Sequence, residues 1–234
     1  MLVVHTLEVT PFSQNARVLF DTQTSFALVV DPGGELDRIF EIVDELKPTQ
    51  LDVLLTHAHL DHAGGTAQCL EMGMSRYDRL PRLMAHRDPL LRGMLQQQAK
   101  HYALPIADYQ NVPPPDVLFD GGEQFLLGSI PARVLYTPGH APDHIAVYLT
   151  PDTTVLHDEL GRRQQVSRPV LLAGDALFQG SIGRTDLPGG SYPLLIRSIR
   201  EQLLTLPAET LVLCGHGPDT SIGFESENNP YLQD

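Results

Sequence analysis

Cysteine is nearly absent: Cys69 and Cys214 are the only two in 234 residues, too few for a disulfide framework. Lysine is as rare, with Lys47 and Lys100 alone, and the formal charge is −13. So acidic a chain argues against a nucleic-acid partner, because phosphate binding needs a basic face. No apolar stretch approaches the ~20 residues that cross a bilayer. Met1 to His5 lack the charged start and long apolar segment of a secretory leader. Repeats and low-complexity tracts are missing too. The expectation is a cytoplasmic protein without membrane or nucleic-acid partners.

What is present begins with His57-Ala58-His59-Leu60-Asp61-His62, four metal-ligand side chains in six residues. In an extended segment, side chains two apart share a face, so His57, His59 and Asp61 are expected to point together. His62 joins them only if the backbone then turns, which Gly64 and Gly65 permit. Imidazole nitrogen and carboxylate oxygen suit borderline cations such as zinc, so the run predicts a metal site. The bland alternative, a polar loop rich in histidine, leaves buried imidazoles and carboxylates without partners, which is costly.

Apolar and β-branched runs predict strands near 2–9, 16–21, 26–31, 51–56, 82–86, 123–127, 132–136, 145–149, 170–174 and 210–214. Helical spacing predicts helices at 35–47, from Gly64 to about Met72, at 88–100 behind Asp88-Pro89, and at 192–205. Asp31-Pro32-Gly33-Gly34 reads as a turn. Residues 101–120 read as a surface loop, and 150–169 as a polar insertion forming a long hairpin.

Three further apolar runs each end in a glycine-containing loop with one ligand-type residue. These loops are Thr137-Pro138-Gly139-His140, Gly174-Asp175 and Gly215-His216. Strands of one sheet would carry them along a common edge, where they converge on the first cluster. Two four-coordinate ions sharing one bridging carboxylate use all seven residues: His57, His59, Asp61, His62, His140, Asp175 and His216. Two divalent ions against two aspartates and a hydroxide leave about one positive charge, which favours an anionic substrate. His5, His86, His101 and His157 read as surface or structural residues, His144 as a neighbour of the ligands, and Cys69 and Cys214 as packing.

With its H-x-H-x-D-H run and the three later motifs, the chain resembles the metallo-β-lactamase superfamily along nearly its whole length. The resemblance implies one α/β (α+β) domain over 1–234, a four-layer αββα sandwich with metals at one edge. It assigns His57, His59, His140 and Asp175 to a first ion, and Asp61, His62, Asp175 and His216 to a second, with Asp175 bridging. Within the superfamily, Thr10 to Asn15, Asp31 to Gly34 and Asn228 to Leu232 are similar to the short bacterial form of glyoxalase II. Two features depart from full-length glyoxalase II: the chain stops before its C-terminal helical domain, and its glutathione-binding segment here reads Gly183-Arg184-Thr185-Asp186. That segment is similar to the persulfide dioxygenases as well.

The expected chemistry is hydrolysis of a glutathione thioester such as S-lactoylglutathione. The expected nucleophile is a hydroxide held by two divalent ions, zinc by default with iron or manganese as alternatives, and oriented by Asp61. Arg184 is expected to grip an anionic part of the substrate; its bland reading is a surface arginine paired with Asp186. A one-iron persulfide dioxygenase and a non-catalytic metal-binding protein are the alternatives.

Overall fold

The computed structural model describes residues 1–233. Its first sheet opens with β1 (Leu2–Val9), β2 (Gln14–Asp21), β3 (Phe26–Val30), β4 (Gln50–Leu54), β5 (Leu83–His86) and β6 (Val117–Phe119). The chain then crosses to β7 (Gln124–Leu127), β8 (Ile130–Tyr136) and β9 (Ile145–Leu149) of a second sheet. It returns to the first for the hairpin β10 (Thr154–His157) and β11 (Arg163–Val166), as the insertion predicts. The second sheet is completed by β12 (Val170–Gly174), β15 (Leu211–Cys214) and β16 (Thr220–Ser221), with a small hairpin of β13 (Leu177–Phe178) and β14 (Ser181–Ile182) beside it. Strand order is β11-β10-β1-β2-β3-β4-β5-β6 in one sheet and β16-β15-β12-β9-β8-β7 in the other.

Alternation along the strands builds the layers. In β3, Phe26, Leu28 and Val30 enter a core shared by both sheets, while Ala27 and Val29 face a second core. In β12, Val170 and Leu172 face the shared core, and Leu171 and Ala173 face a third. Strands buried on both faces carry unbroken apolar runs for this reason. The outer cores are closed by helices: α1 (Leu36–Leu46) through Ile39, Phe40 and Val43, and α5 (Tyr192–Ser198) with the following turn through Leu195, Ile199 and Leu203. The result is the αββα sandwich. No helix among the described residues is long and apolar enough to cross a membrane.

Three elements differ from their sequence patterns. The helix placed at Gly64–Met72 is α3 (Thr66–Arg76), which runs four residues further, and an unexpected single turn, α2 (Leu60–Ala63), precedes it. The helix expected from residue 88 starts only at α4 (Leu95–His101), where Asn111 Oδ1 accepts the Leu95 N–H from sixteen residues away. Upstream, Arg92 turns its guanidinium inward onto the carbonyls of His86, Arg87 and Asp88 and holds that stretch in a tighter turn. The loop at 101–120 ends in β6, which pairs with β5 in parallel. A final helix, α6 (Ile222–Asn228), packs beside β16.

Candidate metal centre

Strands β8 and β15 run parallel to β12, the first through antiparallel pairing of both with β9, so their C-terminal ends share an edge. That edge carries His140, Asp175 and His216 to the loop that follows β4. The seven predicted residues meet there in groups His57–His59–His140, His57–His62–Asp175 and Asp61–His62–His216. One detail of the sequence reading is corrected. The extended backbone ends at His59, where α2 begins, so Asp61 does not share a face with His57 and His59. Helical geometry sends Asp61 and His62 to the His216 side instead, and the turn falls at Leu60 rather than at Gly64.

Hydrogen bonds behind the rings settle which nitrogens face inward. Thr56 Oγ1 donates to Asp31 Oδ2 at 2.6 Å, so His57 Nδ1 must donate to Thr56 Oγ1. His140 Nδ1 donates to the Arg184 carbonyl at 2.8 Å. The bare Nε2 lone pairs of His57 and His140 therefore face each other across 3.2 Å, with His59 Nδ1 2.8 Å from His140 Nε2. Opposed lone pairs repel unless a cation lies between them. A tetrahedral ion at ~2.0–2.1 Å from each ligand sets its nitrogens about 3.3 Å apart, so the donor set fits a metal. On the other side, His62 Nδ1 donates to Asp31 Oδ2 and His216 Nδ1 to the Phe12 carbonyl, which turns their Nε2 atoms inward, 3.3 Å apart.

Charge divides the site in the same way. Burial pushes His57 far below its ordinary value and His59 down to about 3, with neighbouring histidines adding, so both stay neutral. For His62 burial is outweighed by Asp175, Asp61 and Asp31, and it rises. For His216 burial is outweighed by hydrogen bonds to Asp175 and Asp61, and it reaches about 9. Without an ion, these carboxylates draw protons onto the imidazoles. Asp175 sits between the groups, Oδ1 3.2 Å from His62 Nε2 and Oδ2 3.4 Å from His216 Nε2 and 3.5 Å from His140 Nε2. A Cβ on Gly215 would collide with Asp175 Oδ1, so glycine is required for that approach.

Besides His144, expected as a neighbour of the ligands, several supporting residues went unread in the sequence. Asp31 reads as part of a turn, yet it is buried at φ 51° and fixes Thr56 and His62. His144 accepts the Asp175 N–H at 3.0 Å and so positions that ligand from behind. Buried Glu225 accepts from Gly180 N–H and Thr220 Oγ1, and Asn229 Nδ2 donates to Glu225 and to the Ser181 carbonyl, tying α6 to the β13–β14 hairpin. A cleft of 380 Å³ opens over the cluster, walled by Phe12, Tyr102, Phe178, Ile182 and Arg184. The Arg184 guanidinium forms two bonds to Asp186, at 2.7 and 2.8 Å, and Arg184 is also part of the cleft lining.

Asp143 is a separate buried carboxyl, its Oδ1 without a hydrogen-bond partner. Burial, with the Asp88 charge adding, pushes it up to about 7 against its own amide, that of Ala58, and Arg92. The folded state holds this proton more tightly than an unfolded chain, so the group costs stability as pH rises from ~4 to about 7. Asp143→Asn removes that cost. Chelated Asp143→Asn protein should gain on chelated wild type by up to about 1.4 kcal/mol per pH unit across the window. Denaturant unfolding at several pH values measures it, and a pH-independent difference would show that the carboxyl does not titrate there.

A two-sheet sandwich with a histidine–aspartate cluster at one edge defines the metallo-hydrolase class. The chain belongs to the metallo-β-lactamase superfamily, which it matches over residues 9–157 and 163–216. It is 35% identical over 231 residues to the hydroxyacylglutathione hydrolase GloC of Haemophilus influenzae, covering 98% of this chain and 97% of that one. Among solved structures it is similar to the B3 metallo-β-lactamase BLEG-1, with a TM-score of 0.77 and 31% identity over 99% of this chain and 100% of that one. It is also similar to TTHA1623 in a di-iron-bound form, with a TM-score of 0.76 and 31% identity over 97% and 99% of the two chains.

Proposed function

We propose that the protein is a glutathione thioesterase of the glyoxalase II type, with His57, His59, His140 and Asp175 holding one divalent ion and Asp61, His62, Asp175 and His216 a second. The observation that carries this reading is the cleft that has His59, Asp61, His140, Asp175 and His216 in its lining with Arg184 beside them. The likeness to GloC supports it. Bound divalent ions supply a nucleophile at neutral pH and polarise the scissile carbonyl. Asp61, with Oδ2 3.1 Å from His216 Nε2 and its side chain partly open to the cleft, accepts a hydrogen bond from the attacking water and orients it. Arg184 receives a substrate carboxylate by exchanging its bond to exposed Asp186.

The leaving group distinguishes thioesters from the alternatives. A thiol has a pKa near ~8.5, so thiolate departs unprotonated, whereas an alkoxide or amide needs a general acid or a metal to leave. No lysine lines the cleft, and the Tyr136 hydroxyl is committed to the Pro142 carbonyl. Tyr102 is the one phenol on the cleft wall. The test is kcat/KM on a glutathione thioester beside its oxygen-ester analogue, with thioester preferred. Comparable rates would sink the reading, and their loss in Tyr102→Phe would identify the acid. Arg184→Ala should lower kcat/KM on the thioester by an amount worth about 1.5–3 kcal/mol; an unchanged value would return Arg184 to a surface pair. Oxygen uptake with glutathione persulfide by a one-iron protein would instead establish the dioxygenase.

A further inference from the structure

The metal cleft does not end at Tyr102. Beyond it lies a second, open-sided cavity of 160 Å³, formed by Leu91 and Met94 ahead of α4, His101 and Tyr102 at its end, and Leu187 and Pro188 opposite. The two spaces adjoin, since His59, Gln98, Tyr102 and Leu187 line both. Gln98 fixes their register: its Oε1 accepts the Leu60 N–H at 2.9 Å, and its Nε2 donates to the Ala58 carbonyl at 3.0 Å. The cavity wall is therefore bolted to the ligand loop itself.

The two limbs differ in chemistry. The metal limb carries Arg184 and the carboxylates, whereas no aspartate, glutamate, lysine or arginine lines the second. Glutathione's carboxylates and ammonium would meet no charged partner there, so what water they lost against its largely apolar wall would go uncompensated by an opposite charge. An apolar group has no such cost, and an apolar cavity of about 150 Å³ is large enough for a benzene ring.

Resting on the thioesterase reading, we infer that this cavity is the acyl subsite, and that the preferred substrates are glutathione thioesters of short-chain or aryl-substituted apolar acids. Glutathione then lies in the Arg184 limb with the scissile carbonyl at the junction by His59.

The test is kcat/KM of the metal-loaded protein on acetyl-, butyryl- and phenylacetyl-glutathione. Each buried methylene adds about fourfold, so butyryl, with two more than acetyl, should exceed it by roughly fifteenfold. Met94→Glu and Leu187→Gln, on opposite walls, should each collapse that ratio towards one. A flat series in wild type, or a steep one unchanged by both substitutions, overturns the acyl subsite while leaving the thioesterase reading standing. Should no thioester be hydrolysed, the thioesterase reading fails, and calorimetric binding of phenylacetate against acetate decides the cavity separately. Tighter phenylacetate binding that is lost in both variants keeps an apolar subsite there; equal binding removes it.

Discussion

Asp175→Ala should strip metal from both positions, whereas His216→Ala should empty mainly one. Asp175 is buried, and its two oxygens face different partners: Oδ1 approaches His62, and Oδ2 approaches His140 and His216. Without this side chain the trio His57–His59–His140 has no carboxylate beside it, and the trio Asp61–His62–His216 keeps only that of Asp61. His216 belongs to one group only, with Asp61 and His62. Loss of residues that merely orient metal ligands costs ~10–100-fold in affinity or activity, so removal of a shared ligand should exceed about a hundredfold in kcat/KM. Elemental analysis after dialysis reads the occupancies. Two ions retained by Asp175→Ala would remove it as the bridge, and a wild type holding one ion would remove the two-ion site.

Chelation should lower the melting temperature by roughly 8–16 °C. A ligand present at a thousand times its Kd stabilises the fold by about 4 kcal/mol, and each kcal/mol moves the midpoint of a domain this size by ~2–4 °C. The ligands come from the loop after β4 in one sheet and from loops after β8, β12 and β15 in the other. Metal therefore fastens the two sheets together at one edge. Calorimetry before and after chelator, with zinc, iron or manganese added back, measures the shift and ranks the metals. An unchanged midpoint with metal demonstrably removed would show that the edge is already rigid without it.

The site was legible in the sequence to an unusual depth because its ligands follow strand ends. An apolar run, a glycine and a single histidine or aspartate is a local pattern, and shared strand direction in the second sheet turns three of those patterns into one place. What was illegible depends on contacts distant in sequence. Asp31 looks like turn punctuation, and its role appears only when Thr56 and His62 fold against it. The start of α4 is set by Asn111, and no pattern within 88–100 announces a cap from so far downstream. His57, His59 and Asp61 alternate as strand residues do, yet the chain turns helical at Leu60. Periodicity reports what a segment permits, and packing chooses among the permitted forms.

The bonds from Glu225 and Asn229 to the β13–β14 hairpin make the last turn of the chain a buckle for the catalytic cleft. Phe178 and Ile182, which that hairpin carries, form cleft wall, and the Phe178 ring lies edge-on with its centroid 6.0 Å from that of His216. Asn229→Ala should raise KM while metal content stays at the wild-type level, and a parallel loss of metal would show that the buckle also holds the centre. A raised KM at unchanged metal content would mark the residues around Asn229 as a place where the cleft wall can be refitted while the ligand set stays as it is.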